Sequence, residues 1–216
     1  LEKQAQGEWE KIKTNANKNG LKPWDGLYCR LENLEAVKNG SKELVISNFI
    51  RYSQIRAFQK LEVYKNYSLD YHTLHISTIG FVTTADNYKI FGYREFTLNN
   101  SSYTFIGGGL QPDELTVQSA TDIGKNMKKE IYEELGVGEK NIVENSVIGI
   151  IHSVERENIF IMFHAILDLT KSEVEEKFKQ AFETSEHDLL IFVLNKELQA
   201  FIEDKPEYMQ IAYKLL

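Results

Sequence analysis

Three glutamates, Glu130, Glu133 and Glu134, fall close together in the run Lys129-Glu130-Ile131-Tyr132-Glu133-Glu134-Leu135-Gly136-Val137. At 100° per residue in a helix they share an arc of about 100°. Carboxylates crowded in this way repel one another unless a cation sits among them, and hard divalent ions such as Mg²⁺ take oxygen ligands of this kind. Upstream, Gly107, Gly108 and Gly109 lead to Glu114. Backbone without side chains can pass close to a phosphate and can adopt the dihedrals of a tight loop. No Walker Lys-Ser/Thr pair follows these glycines, so they do not read as a P-loop. The chemistry in prospect is that of a divalent cation and an anionic ligand.

The elements that must position these groups read as follows. Glu2 to about Asn19 is polar and helix-compatible, stopped by Asn19-Gly20 and Pro23. Gly26 to Val37 and Glu43 to Ile50 read as strands of a hairpin joined at Asn39-Gly40, and Ile50 to Leu61 as helix. Thr73 to Thr84 is apolar and β-branched, and Asp86-Asn87 separates it from Tyr88 to Phe96, an antiparallel pair. The glutamate helix ends at Leu135, with Gly136 as a left-handed stop. Ser146 to Val154 and Asn158 to Leu167 are further strands. Thr170 to Glu173 is a capping box opening a helix to about Phe182. Leu189 to Leu194 reads as a short buried strand, and two helices close the chain. This order predicts a mixed-sheet α/β or α+β fold with helices flanking the sheet.

With 216 residues, 42% of them hydrophobic, the chain can bury one full core and an elaboration. A net charge of −7 excludes coating a nucleic acid polymer or an anionic membrane through bulk electrostatics. It leaves room for a single nucleotide, because a bound metal supplies local positive charge. No apolar run nears the length of a membrane span. Cys29 is the sole cysteine and reads as a small buried hydrophobe. Having no intramolecular disulfide fits a reducing cytoplasm. His72 and His75, near a strand start, read as structural rather than as zinc ligands.

The segment from Gly108 to Val137 resembles the Nudix box of Nudix hydrolases. Gly108 and Glu114 carry the first half of that pattern; Glu130, Ile131, Glu133, Glu134, Gly136 and Val137 carry the second. Two departures stand out. The stretch between Glu114 and Lys129 holds fourteen residues where the pattern has seven, and Lys129 replaces its arginine. Lysine keeps the charge and loses the two-pronged fork. Upstream, Trp24-Asp25-Gly26-Leu27-Tyr28-Cys29-Arg30 and Arg51-Tyr52 resemble the N-terminal extension of a subgroup that includes UDP-glucose pyrophosphatases, which also carries an enlarged box.

The resemblance implies a Nudix-like α/β/α sandwich over residues 71–216, with residues 1–70 as an extension that shapes the pocket or forms a homodimer contact. It implies Mg²⁺, or Mn²⁺, held by Glu130, Glu133 and Glu134, and hydrolysis of a nucleotide-derived small molecule such as a nucleotide sugar. Glu130, beside Lys129, is a candidate to orient or deprotonate water; the base varies in position in this family, and Glu186, just before the strand at Leu189, is the candidate for it on a later loop. Gly107, Gly108, Arg94 and Tyr103 are the candidate substrate contacts. Arg94 reads equally as a phosphate ligand or as a structural ion pair. Tyr93, Tyr103 and Phe105 read as strand packing first and as surfaces for a base or sugar second. The rival reading is a Nudix-fold module that binds a nucleotide without hydrolysing it.

Overall fold

The computed structural model describes residues 1–18, 25–41, 43–94, 102–112, 120–180 and 187–216. Glu114 and Glu186 lie outside the described residues, as do Asn19-Gly20, Pro23, Trp24 and the expected ends at Phe96 and Phe182. The chain forms two units, one comprising Leu1–Ser77, Gly109–Thr116 and His152–Phe160, the other Thr78–Gly108, Val117–Ile151 and Ile161–Leu216.

In the first unit, helix α1 (Glu2–Lys18) packs on α3 (Tyr52–Lys60) around Ala5, Ala57, Phe58 and Val63, and the short α4 (Val63–Asn66) follows. Trp9 meets Tyr52 edge-on, ring centroids 6.3 Å apart. Strands β1 (Leu27–Leu31) and β2 (Ile46–Arg51) pair antiparallel, as expected, but Leu34–Lys38 between them is a helix, α2, and not strand. Its sequence, Leu-Glu-Ala-Val-Lys, is rich in good helix formers, and local propensity prevails there over the nearby Asn39-Gly40 turn. Arg30 of β1 pairs with His75 at the start of β3 (His75–Thr83).

In the second unit, β3 is buried along its length, as an interior strand should be. It pairs with β4 (Tyr88–Arg94), β5 (Ser102–Gly109) and β7 (Asn158–Leu167); β7 also pairs with β6 (Ile142–Ser153), which starts earlier than Ser146. β8 (Leu189–Leu194) pairs antiparallel with β4 and ends the strand order. An edge strand is covered less completely, so Leu189 is 42% exposed where the sequence suggested a buried strand.

Register gives this sheet two different faces. Phe81, Phe91 and Phe105 share one face; Phe81 and Phe105 meet edge-on at 4.8 Å. Phe201 of α7 (Leu198–Ile202) and Tyr208 of α8 (Glu207–Tyr213) pack onto this aromatic group. Such ring pairs each contribute about 0.5–1.5 kcal/mol beyond the burial of their area. Thr78, Gly80 and Gly92 lie on the other face. A methyl placed on Gly80 would come 3.1 Å from Met127 Cε of helix α5 (Ala120–Leu135), so the small residue admits the helix. Gly136, at φ +70°, stops α5 and donates to Tyr132 O at 2.9 Å. Thr170 and Glu173 form the expected capping box of α6 (Lys171–Phe178). No helix among the described residues is long and apolar enough to cross a membrane.

Candidate functional site

Helix α5 carries two adjoining stripes at four-residue spacing. Ile123, Met127, Ile131 and Leu135 are buried and apolar; Asn126, Glu130 and Glu134 are buried and polar. Both follow from helical periodicity, since residues four apart stand above one another on one face. The polar stripe is laid against the strands. Asn126 Nδ2 donates to Thr78 Oγ1 of β3 at 2.7 Å. Further along the helix, Glu130 abuts Gly108 so closely that a Cβ there would stand 2.6 Å from its Cδ and 2.7 Å from its Oε1. One turn on, Glu134 Oε2 accepts the Gly107 N–H at 2.7 Å.

Glu133, which the sequence groups with these two acids, is paired at the helix surface. Its Oε2 lies 3.3 Å from Lys129 Nζ, an i, i+4 pair at the helix surface with both side chains about one-third exposed. Among the described residues, no three Asp, Glu, His or Cys side chains gather into a metal-binding group. Two carboxylates do face the glycine end of β5.

Arg94 stands at the end of β4 with its Nη2 3.9 Å from Glu134 Oε1, in the position of an ion-pair partner. His187 was not singled out in the sequence. Its Nε2 lies 3.1 Å from Glu134 Oε1, and both side chains are almost wholly excluded from solvent. Tyr103 packs against Tyr93 and Phe201, and Lys205 Nζ sits 4.5 Å from its ring centroid. Phe105 is core, only 2% exposed, and so cannot offer a surface to a base or sugar. Cys29 is buried, with its thiol pushed up to about 11 by burial. His75 is buried and held neutral, pulled down to about 3 chiefly by burial, with the charges of Arg56 and Arg156 acting the same way.

The donor set fits a small hard cation. Mg²⁺ is commonly held by one or two carboxylates, with water and phosphate oxygens completing its shell. Glu130 and Glu134 supply such a pair, and the missing side chain at Gly108 is what lets the Glu130 carboxylate lie against β5.

No family model matches the sequence, and no curated protein matches it. Solved structures do match. DR0079 from Deinococcus radiodurans is 10% identical over 88% of this chain and 98% of its own, with a TM-score of 0.52. Tm1382, a candidate Nudix hydrolase, is 15% identical over 89% of this chain and 97% of its own, with a TM-score of 0.51. A Nudix hydrolase from Nitrosomonas europaea covers 65% of this chain and 86% of its own at 11% identity, with a TM-score of 0.45. The chain thus has a Nudix-like fold, a mixed α+β arrangement of an antiparallel sheet and helices.

Proposed function

We propose that this chain is a cytoplasmic, Mg²⁺-dependent hydrolase of the phosphoric anhydride bond in nucleoside diphosphate derivatives. A nucleotide sugar such as UDP-glucose is the leading substrate, with a nucleoside monophosphate and a sugar phosphate as products. The observation that carries this reading is the placement of Glu130 and Glu134, on successive turns of α5, against Gly108 and Gly107. Two carboxylates on successive turns of one helix beside backbone free of side chains are a donor pair of the kind that Mg²⁺ takes together with water and phosphate oxygens.

In this reading Glu130 and Glu134 hold the ion, with Glu133 at the rim of the site. When bound, a divalent ion acidifies a coordinated water and neutralises phosphate oxygens. Water attacks one phosphorus, the P–O bond of the anhydride breaks, and the second phosphate leaves. Arg94, with its side chain 35% exposed, can turn its fork toward a phosphate. Gly107 and Gly108 let the diphosphate approach the backbone. Lys129 orients the acids through Glu133. Glu186, adjacent in sequence to His187, is the alternative candidate for the catalytic base. The choice of a nucleotide sugar rests on the N-terminal resemblance around Tyr28 to Arg30.

A second reading, a binding module without turnover, is favoured by one observation, the ion pair in which Lys129 engages the third acid, Glu133. A phosphate-release assay over nucleotide sugars, ADP-ribose and dinucleoside polyphosphates, with and without Mg²⁺, separates the two. Mg²⁺-dependent turnover of any member supports the hydrolase. Binding without turnover across the panel refutes it in favour of the module.

A further inference from the structure

The surroundings of Glu134 contain a residue whose type and placement the Nudix pattern does not explain. His187 precedes β8, and its ring lies directly over Gly92 of β4. A Cβ on Gly92 would stand 2.5 Å from His187 Nε2 and closer still to two other ring atoms, so the imidazole occupies the place of a side chain. The next residue fastens the backbone, with Asp188 N donating to Tyr93 O at 2.9 Å. Strand β4 therefore holds this histidine by its ring and by its chain.

We propose that His187 is the positioning residue of Glu134, seated by the missing side chain at Gly92, and that it sets the divalent-ion affinity of the site. This rests on the metal-site reading above. The geometry orders the protons. Arg94 Nε donates to His187 Nδ1 at 3.4 Å, so Nδ1 is the acceptor nitrogen. A neutral imidazole then carries its proton on Nε2, the atom 3.1 Å from Glu134 Oε1. The other carboxylate oxygen, Oε2, is taken by Gly107 N–H at 2.7 Å. Glu134 is thus hydrogen-bonded at Oε2 from β5, and its Oε1 stands within ion-pair distance of the His187 ring before β8, a close contact with no hydrogen bond formed between the two atoms. Neither His187 nor Glu134 meets solvent appreciably, so water competes little for these contacts. Outer partners of this kind fix a ligand's orientation, and removing one lowers metal affinity by about 10- to 100-fold.

The test is Mn²⁺ titration of the full chain by calorimetry, with thermal melting to confirm folding. His187→Ala should weaken Mn²⁺ binding by about 10- to 100-fold. His187→Gln, whose amide can donate from a similar position, should recover most of it. Gly92→Ala alters no acid but fills the seat of the ring, and should weaken binding by a similar factor. The double variant Gly92→Ala/His187→Ala should be no weaker than either single one, because both act through the same ring. Wild-type affinity in His187→Ala overturns the proposal, as do losses that multiply in the double variant. Should Gly92→Ala fail to fold, the Ala and Gln variants at His187 still decide. A wild-type chain that takes up no Mn²⁺ overturns the metal reading itself, and this role with it; binding that survives every variant overturns this role alone.

Discussion

Alanine at Gly107 and alanine at Gly108 should have opposite consequences, although the two glycines are neighbours. Gly107 has φ +139°, and a Cβ there would press on the Thr78 carbonyl oxygen and stand 2.7 Å from Ile79 Cα. Those atoms are backbone of the buried strand β3 and cannot swing aside. Backbone strain of about 1–3 kcal/mol adds to overpacking of about 1–3 kcal/mol, so Gly107→Ala should cost roughly 2–6 kcal/mol. For a chain of this size that lowers the melting temperature by about 4–24 °C. At Gly108 the atoms nearest the new methyl belong to the Glu130 carboxylate, 2.6 Å away at Cδ. A side chain that turns to a less favoured rotamer loses about 0.5–1.5 kcal/mol, so the melting temperature should fall by no more than about 6 °C. Displacing Glu130 should nonetheless weaken Mn²⁺ binding by more than about tenfold. Thermal unfolding and calorimetric Mn²⁺ titration on both variants check this. The reasoning fails if Gly107→Ala melts within about 2 °C of wild type, or if Gly108→Ala binds Mn²⁺ as tightly as wild type.

The acids themselves should rank by placement. Glu130→Gln and Glu134→Gln should each lower Mg²⁺-dependent turnover by about 10²-fold or more, while Glu133→Gln, already tied to Lys129, should cost less than about tenfold; steady-state rates on the substrate panel give the order. Stability should fall with acid through His75. Its folded-state value near 3 lies below the ordinary 6.5, so between those limits the unfolded chain binds the extra proton. Stability is then fully present above about pH 6.5 and declines toward pH 3, by at most about 1.4 kcal/mol per pH unit. Urea unfolding from pH 7 to pH 4 should show this slope, and His75→Gln should flatten it. Cys29, 1% exposed and with its thiol near 11, should ignore a thiol reagent in the native protein and react once per chain in urea, read by absorbance.

Where local signals agree with tertiary demand, the sequence was a sufficient guide. The β-branched run ending in Thr84 became β3, Gly136 stops its helix, and Thr170 and Glu173 cap theirs. The stretch at Leu34–Lys38 misled because a turn signal at Asn39-Gly40 sits beside a segment of strong helix formers. Helical angles alone put Glu133 with Glu130 and Glu134, since an arc does not say which part of it faces the sheet. The buried stripe in fact continues to Asn126, and nothing in its residue type announces that. His187 was beyond reach for a different reason. Its meaning depends on Gly92, a position nearly a hundred residues earlier that register alone brings beneath it.

The polar stripe of α5 also bears on what shaped this helix. Leucine or methionine at position 134 would take from the Gly107 N–H its acceptor and from Arg94 and His187 the carboxylate beside them, and removing one partner of a buried pair costs about 3–5 kcal/mol. Glu134 ties the end of α5 to the glycine end of β5, so the helix cannot exchange this acid for hydrocarbon without loosening that junction.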